Sequence, residues 1–439
     1  MGNNDILVAK FGGSSLANAE QMRKVKAIIE MDDRRKFVVP SAPGKRFGKD
    51  HKITDLLYAV KKQALDGEKI DDTFTEIRSR FVEMRDALKL DLNIEKHLDI
   101  VEHDILNGAS LDYTASRGEY LNGLILAAFL GYEFVDAADV IFFDGKGRLD
   151  LSKTESMMSG RLKHTEHAVI PGFYGLAADG EVKTFSRGGS DITGAIVARA
   201  VSALVYENWT DVSGFMMADP RIVKNPKTIE RVTYRELREL SYMGASVLHE
   251  DAVFPVAEVH IPINIKNTND PSHPGTMIVS KVGDENAGVI TGIAGKRNFT
   301  VIAIEKNKMN AEIGFGRKVL EALEQNDVSF EHMPSGIDTL SLVIADECID
   351  GKLKKVKDDI YRVCKPDVIE EFSNMALVAV VGRGMRHQVG TAARLFHALS
   401  EAKINVRMID QGSSEINIIV GVENDDFDSA VIAIYNEFN

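Results

Sequence analysis

The 439-residue sequence has few residues of the kinds that mark special environments: two cysteines, Cys348 and Cys364, and a single tryptophan. Two thiols are too few for a disulfide framework or a zinc site, so we expect reduced thiols in a cytosolic protein. No apolar run approaches the roughly 20 residues that a membrane-spanning helix requires. The net charge of −13 opposes non-specific binding to nucleic acid or anionic membranes. These absences predict a cytoplasmic protein without a nucleic-acid or membrane partner.

Two familiar sequence signals are missing as well. The motif G-x-x-x-x-G-K-[ST], which cradles phosphates in P-loop proteins, does not occur. The N-terminal residues lack the basic and apolar segments of a secretory signal, so we expect no targeting segment. The remaining composition is that of a globular protein, with 44% hydrophobic and 27% charged residues. A chain of this length has room for roughly two to four domains.

Short apolar segments alternate with helical patterns in the first part of the chain. Strands are predicted over residues 5–11, 37–39, 134–135, 168–170, 182–185, 203–206 and 261–265, with helical patterns in the intervals. Strands that alternate with helices form a largely parallel sheet that is covered by helices on both faces. The pattern therefore predicts an α/β fold.

The C-terminal part of the chain repeats itself. Met309 aligns with Met385 and Gly314 with Gly390, an offset of 76 residues that continues without a gap. Each copy has the pattern of a strand, a glycine-containing turn, an amphipathic helix, two strands and a second helix. Two copies of a small α+β module are therefore predicted.

A stretch of turn-forming and polar residues over 269–287 precedes this repeat. We place the main domain boundary there. The predicted domains are residues 1–285, a first module over 289–365 and a second over 366–439, with the two modules either consecutive or nested.

Residues 185–193, with the sequence FSRGGSDIT, concentrate anion-binding groups in front of a predicted helix. The guanidinium of Arg187 can form a bidentate pair with a carboxylate or phosphate. Gly188 and Gly189 let backbone N–H groups approach an anion at the helix N-terminus, with Ser190 and Asp191 directly after them. A capped helix after a glycine turn explains the same residues without any ligand, and the segment alone leaves both readings open.

Lys10 ends the first predicted strand and is separated by one residue from Gly12 and Gly13. A lysine there can reach polyphosphate oxygens while the glycine backbone surrounds them. The alternative is a lysine whose stem packs along the strand end while its charge reaches solvent.

Two further polar segments lie beside predicted apolar elements. Thr210 and Asp211 open a loop that ends with Arg221, at the strand end where open α/β sheets bind ligands. The alternative for Arg221 is the partner of an Asp-Pro turn. Glu119 precedes an apolar helix, where a carboxylate also serves the helix dipole.

Taken together, these segments resemble aspartate kinases. The resemblance rests on KFGGSS at residues 10–15, Gly118-Glu119, RGGSD at 187–191, TDV at 210–212, DPR at 219–221 and the tandem modules, in order along nearly the whole chain. It implies the amino acid kinase fold, a three-layer αβα sandwich with a mainly parallel sheet, followed by two ferredoxin-like ACT modules. It also implies transfer of the γ-phosphate of ATP to the side-chain carboxylate of L-aspartate, which is the first step of lysine, threonine and methionine biosynthesis.

The resemblance also assigns roles to residues. Lys10 would neutralise the transferring phosphoryl group, and Asp191 would organise Lys10. Glu119 would bind the substrate ammonium and Arg187 a substrate carboxylate. The other implied substrate residues are Thr54, Gly188, Gly189 and Ser190, and the implied ATP residues are Lys10, Gly12, Gly13, Ser14, Thr210, Asp211, Met216, Arg221 and Ser246. Mg²⁺ would bridge the ATP phosphates without a protein ligand.

Two positions and one segment depart from the family pattern. Ser246 stands where such enzymes usually have a lysine, and Glu250 replaces the usual proline after His249. The basic loop over residues 44–52 is longer than expected, and we interpret it as a lid over the phosphates that could supply the missing cation.

The ACT modules imply an amino-acid effector and a homodimer or a dimer of dimers. The aligned effector residues are Met309, Gly314, Phe315, Ser329 and Glu331. Glu331 could hold an ε-ammonium group, which favours lysine over threonine as the feedback inhibitor. Two alternatives stay open at this point: another amino acid kinase of the same superfamily, and a non-catalytic amino-acid sensor.

Overall fold

The computed structural model describes residues 5–186, 188–245, 248, 252–282 and 288–439. The chain divides into two compact units. The first contains residues 1–215, 228–237 and 247–282, and the second contains residues 216–227, 238–246 and 283–439.

An eight-stranded sheet forms the centre of the first unit, in the order β3-β4-β2-β1-β7-β9-β10-β8. All neighbours in it run parallel except β9 and β10. A two-stranded ribbon, β5-β6, lies apart from it. The strands are β1 (Leu7–Phe11), β2 (Arg35–Pro40), β3 (Glu133–Phe134), β4 (Ala168–Val169), β5 (Tyr174–Leu176), β6 (Val182–Thr184), β7 (Val205–Thr210), β8 (Arg231–Thr233), β9 (Ile263–Asn267) and β10 (Thr276–Val279).

Helices connect these strands, as the alternating pattern predicts. They are α1 (Ala19–Glu30), α2 (Ile53–Leu65), α3 (Asp71–Leu88), α4 (Ile94–Leu106), α5 (Leu111–Leu130), α6 (Ala137–Val140), α7 (Leu151–Leu162), α8 (Gly189–Ala200), α9 (Tyr234–Tyr242) and α10 (Phe254–Ala257). Side-chain caps start several of them: Asn18 accepts a hydrogen bond from the N–H of Gln21, and Ser110 accepts one from the N–H of Tyr113. The α/β prediction for this part of the chain is confirmed.

Because side chains alternate along β1, one face of the strand packs into an apolar core and the other faces α8. Ala9 and Phe11 belong to a core cluster that also contains buried residues of α1 to α5. Because successive side chains of a strand point to opposite faces, Val8 and Lys10 lie on the other face, where α8 packs against β1. This alternation gives Lys10 a buried but polar position.

The second unit contains one five-stranded antiparallel sheet in the order β12-β11-β13-β15-β14. Its strands are β11 (Gly292–Glu305), β12 (Thr339–Ala345), β13 (Val368–Val381), β14 (Met408–Asp410) and β15 (Asn417–Glu423), and its helices are α11 (Phe315–Glu324), α12 (Asp346–Ile349), α13 (Leu353–Cys364), α14 (Thr391–Glu401) and α15 (Phe427–Phe438). β11 and β13 begin at the predicted offset of 76 residues, as do α11 and α14. The internal repeat is therefore confirmed.

The two modules share their long strands, so the boundary at residue 365/366 does not separate them. One apolar core runs from Ile302 to Cys364. The other combines Ile290 and Ile293 with residues 376 to 434, which places the start of β11 in the second module. Each long strand passes from one core to the other near an asparagine with a left-handed backbone, Asn298 at φ 68° and Asn374 at φ 64°. The nested arrangement describes the modules better than the consecutive one.

The predicted first domain, residues 1–285, also differs from the first unit. Ala218 and Val223 belong to the apolar core of the second module, and the Lys227 N–H donates to the Tyr435 hydroxyl. Short apolar stretches inside a long domain carry no sequence signal of this grouping. Within the described residues, no helix is long and apolar enough to cross a membrane.

Candidate active site

A buried ion pair joins the end of β1 to the first turn of α8. The Lys10 ammonium lies 2.6 Å from Oδ1 of Asp191, and their side chains are 9% and 17% exposed. Lys10 reaches Asp191 because it points to the face of β1 that α8 covers. The predicted pairing of these two residues is thus present in the structure.

Asn208 completes this arrangement, and the sequence analysis missed it. It lies beside Lys10 in the register of β1 with β7, so both side chains share one face of the sheet. Its side-chain amide donates to Oδ1 of Asp191 over 2.7 Å, and the Tyr206 hydroxyl donates to the Asp191 carbonyl over 3.0 Å. The strand predicted over residues 203–206 ends before Asn208, whereas β7 extends to Thr210, so no sequence pattern marked this residue.

The glycine turn after β1 packs backbone against backbone. A Cβ on Gly13 would lie 2.8 Å from the Ala42 carbonyl oxygen, and one on Gly44 would lie 2.7 Å from the Gly13 carbonyl carbon. Gly44 donates its N–H to the Gly13 carbonyl over 2.8 Å. Any side chain at these two positions would force the turn apart, while Ser14 at its tip is exposed. The turn therefore presents backbone next to the Lys10 ammonium.

The first turn of α8 is held in the same way. Gly188 has a left-handed backbone at φ 60°, and a Cβ on Gly189 would lie 2.6 Å from the Phe173 ring. Ser190 is buried against Gly172, where a Cβ would lie 2.6 Å from the Ser190 hydroxyl. Arg187 lies outside the described residues, so its predicted contact with a carboxylate stays a prediction.

Glu119 is the most deeply buried carboxyl group near this pair. It lies on α5 with 5% of its surface exposed, and its Oε2 atom has no hydrogen-bond partner among the described residues. Burial raises its pKa to about 8, although the Ala42 N–H donates to it and the charges of Arg117 and Lys10 favour the ionised form.

Gly118, next to Glu119, lets α5 approach Ala42. The helix that carries Thr54, another predicted substrate residue, packs against α5. A Cβ on Gly118 would lie 2.8 Å from the Ala42 side chain, so only glycine lets α5 approach the turn that donates to Glu119. Arg117 is buried over the rings of Tyr113 and Tyr120, at 4.4 and 4.6 Å. Thr54 is half-buried in the first turn of α2, which packs against α5.

The predicted nucleotide residues fall into three groups. Thr210 ends β7, and its hydroxyl lies 3.3 Å from a carboxylate oxygen of the exposed Asp211. Met216 and Arg221 belong to the second unit, where the guanidinium of Arg221 pairs with Asp219 at 2.5 Å. Ser246 lies outside the described residues. The ion pair with Asp219 fits the alternative in which Arg221 is the partner of an Asp-Pro turn. Its contact with a nucleotide stays a prediction.

The predicted effector residues lie in the second unit. Met309 and Phe315 are buried in the first module core, and Gly314 between them has a left-handed backbone at φ 80°. The Ser329 hydroxyl lies 3.4 Å from the Cys348 sulfur. Glu331 is half-buried and its carboxylate forms no ion pair within the described part of the chain. A carboxylate in that state is available for a cationic ligand.

Among the described residues, no group of three or more His, Cys, Asp or Glu side chains could hold a metal ion. Asp191 already accepts from Lys10 and Asn208. The binding of Mg²⁺ through the ATP phosphates stays a prediction.

Comparisons with known proteins agree along the whole chain. Residues 5–267 match the model of the amino acid kinase family, and residues 378–438 match that of an ACT domain. Aspartokinase 3 of Bacillus subtilis is 41% identical over 98% of this chain and 98% of its own length.

Solved structures give the same result. The crystal structure of Clostridium acetobutylicum aspartate kinase, described as an allosteric enzyme, has a TM-score of 0.95 and 59% identity, covering 99% of this chain and 100% of its own. E. coli aspartokinase III with aspartate and ADP has a TM-score of 0.75 and 25% identity, covering 98% of this chain and 99% of its own. The same enzyme with lysine and aspartate has an equal TM-score and identity.

Proposed function

The chain belongs to the aspartokinases of the amino acid kinase family, and from this premise we propose that Lys10, Asp191 and Glu119 form the centre of its active site. The protein is an aspartate kinase: it transfers the γ-phosphoryl group of ATP to the side-chain carboxylate of L-aspartate and is regulated through its ACT modules. One observation carries the assignment of the site, namely the buried Lys10–Asp191 pair directly before the Gly12-Gly13 turn.

The chemistry needs charge stabilisation more than proton transfer. The aspartate side chain, with an ordinary pKa of about 3.9, is ionised at neutral pH and can attack without a general base. Its oxygen forms the new bond to the γ-phosphorus while the bond to the β,γ-bridging oxygen breaks and ADP leaves. Lys10 lies where a cation can neutralise the phosphoryl oxygens in this step. Asp191 and Asn208 fix the position of that cation.

The two substrates are recognised by groups of different charge. Glu119 receives the ammonium group of aspartate, with Thr54 nearby, and Arg187 with Gly188, Gly189 and Ser190 receives a carboxylate. The nucleotide residues proposed on the first unit are Lys10, Gly12, Gly13, Ser14, Thr210 and Asp211, and the family resemblance adds Met216, Arg221 and Ser246. The chemistry that Mg²⁺ would supply, when bound together with ATP, is additional positive charge at the transferring group.

A hydroxamate assay tests the reaction directly. Purified protein with ATP, Mg²⁺ and hydroxylamine should form aspartyl hydroxamate from L-aspartate and little product from glutamate, acetylglutamate or carbamate. The Arg187→Ala variant should raise the KM for aspartate far more than the KM for ATP. Preferred use of another acid, or no activity at all, would reject the assignment in favour of another amino acid kinase or a non-catalytic sensor.

The proposed feedback inhibitor is also chosen by charge complementarity. Lysine, rather than threonine, is the proposed inhibitor because the half-buried Glu331 carboxylate, which forms no ion pair within the described residues, can hold an ε-ammonium group. The other proposed effector residues are Met309, Gly314, Phe315 and Ser329. The E. coli enzyme was solved with lysine, which supports this choice. Titration calorimetry should detect lysine binding that Glu331→Ala abolishes. Threonine binding without lysine binding would contradict it.

The assembly and location follow from the same family. A homodimer formed through the ACT modules, or a dimer of such dimers, is proposed in the cytoplasm. Light scattering on the purified protein would give its mass, and a monomer with full lysine inhibition would contradict the proposal.

A further inference from the structure

A buried arginine lies behind the glycine turn and is bound mainly to backbone. Arg80, on α3, is 2% exposed. Its guanidinium donates to the carbonyls of Gly44 and His51, each over 2.6 Å, and more weakly to that of Ala17 over 3.4 Å. Its nearest carboxylate, that of Asp50, is 3.8 Å away. One side chain therefore connects three backbone carbonyl groups.

These three carbonyls belong to the two segments that surround the proposed phosphate site. Gly44 and His51 lie at the two ends of the basic loop over residues 44–52. Ala17 ends the short helical turn Gly13–Leu16 that follows the Gly12-Gly13 backbone. Gly44 in turn contacts Gly13 through the hydrogen bond of 2.8 Å. Arg80 thus fixes the loop ends and the glycine turn relative to each other.

The loop itself is closed by a second arginine. Arg46 donates its backbone N–H and its guanidinium to the buried Asp50 carboxylate, at 2.8 to 3.0 Å. Arg46 and Arg80 hold the pKa of Asp50 well below its usual range. Lys45 and Lys49 are left exposed on this small turn. Hydrogen bonds therefore hold both ends of the 44–52 loop, and the exposed ammonium groups of Lys45 and Lys49 lie between these ends.

Burial of a guanidinium group costs free energy that burial of an apolar side chain does not. Desolvation disfavours its charge and lowers its pKa, and apolar residues of similar volume often fill such a position at least as stably. What an arginine offers here is a planar fork of donors that reaches several carbonyls at once. This geometry suits the positioning of backbone better than the stability of the fold.

We propose that Arg80 is a positioning residue for phosphoryl transfer: it holds the Gly13 turn and the 44–52 loop in the arrangement that binds the ATP phosphates. The proposal rests on the proposed function of this site. It adds to it a residue on α3 that belongs to no recognised motif and need not touch either substrate.

The test compares Arg80→Lys and Arg80→Ala with matched changes at Arg78. Arg78 lies on the same helix and forms two ion pairs, with Asp99 at 2.8 Å and Glu102 at 2.7 Å, so Arg78→Lys and Arg78→Ala make the same substitutions on α3 without removing a bond to the turn. Steady-state kinetics would give kcat and both KM values. Hydrogen–deuterium exchange would report on the amides of residues 44–52, and methylguanidinium would be added to the alanine variants.

Arg80→Lys should raise the KM for ATP by about tenfold or more, because one ammonium cannot replace the fork, while the KM for aspartate changes less than about threefold. Exchange over residues 44–52 should accelerate only in the Arg80 variants. Methylguanidinium should restore activity to Arg80→Ala and not alter Arg78→Ala.

Three results would overturn the proposal. ATP kinetics of the folded Arg80 variants within about twofold of the wild type would remove the positioning role. Equal effects of the Arg78 and Arg80 variants would make it a general effect of the helix. Failure of both Arg80 variants to fold would assign Arg80 to the fold. Absence of aspartate phosphorylation in the wild type would instead reject the proposed function.

Discussion

Two carboxyl groups of the proposed active site, Asp191 and Glu119, are in opposite states in the absence of substrate. Asp191 accepts from the Lys10 ammonium at 2.6 Å and from the Asn208 amide at 2.7 Å. Glu119 is more deeply buried, its Oε2 atom has no hydrogen-bond partner in the part of the chain that the structure describes, and burial raises its pKa to about 8. In the proposed site, the phosphoryl side is therefore preorganised, whereas the amino-acid side would be completed by the substrate.

Loss of the preorganised cation should have the largest effect. Lys10→Met keeps the apolar stem and removes the charge, so kcat should fall by about 10³-fold while the KM for aspartate changes little. A coupled assay of ADP formation measures both. A kcat within tenfold of the wild type would mean that another cation, such as Lys45 or Lys49, neutralises the phosphoryl group.

Replacement of Glu119 by a side chain that cannot ionise should act on the other substrate, aspartate. Glu119→Gln is nearly isosteric and cannot carry a negative charge, so the KM for aspartate should rise by about 10²-fold because a charged hydrogen bond to the ammonium is lost. The KM for ATP should stay close to that of the wild type. Equal increases in both KM values would show that the two halves of the site are not independent.

The pKa of Glu119 makes aspartate binding depend on pH. Near pH 7 the free protein keeps this carboxyl protonated, and the substrate ammonium requires the ionised form. Binding should therefore release up to one proton, and the affinity for aspartate should rise from pH 6 until about pH 8. Calorimetry in two buffers of different ionisation enthalpy measures the released proton. The Glu119→Gln variant should release none, and identical release from both proteins would contradict the assignment.

The same shift affects stability in a definite direction. The folded-state pKa of about 8 lies above the ordinary value of 4.5, so the folded protein binds the extra proton between these values. The contribution to the free energy of unfolding is complete below pH 4.5 and is lost as pH rises through 8. Urea unfolding of the wild type and of Glu119→Gln, from pH 5 to 9, should show this difference in slope, and parallel curves would contradict it.

The smallest of these effects should come from the residue that only positions Asp191. Asn208→Ala removes the 2.7 Å bond and leaves the ion pair, so kcat should fall by about tenfold with both KM values nearly unchanged. Steady-state kinetics suffices to measure it. A fall as large as that of Lys10→Met would mean that Asn208 contacts the reacting groups itself.

Much of this site could be predicted from the sequence, for reasons that its residues make clear. Lys10 and Asp191 lie next to glycines at element ends, where local pattern and family resemblance both point to them. Asn208 carries no such mark, because its role depends on the register that pairs it with Lys10 across almost 200 residues of chain. Arg80 is one of several arginines on α3, and only the structure distinguishes it by burial.

The fold shows the same division. The strand–helix alternation and the repeat are local patterns, and both were predicted. The passage of β11 and β13 between two cores near Asn298 and Asn374 depends on long-range strand pairing, which a sequence does not display.

The most direct test of the account compares L-aspartate with succinate, which has the same two carboxylates and no ammonium group. Wild-type protein should prefer aspartate by about 10²-fold or more in kcat/KM, and Glu119→Gln should lose most of that preference. If Glu119→Gln keeps the full preference for aspartate over succinate, the claim that the substrate ammonium binds the buried Glu119 carboxylate is contradicted.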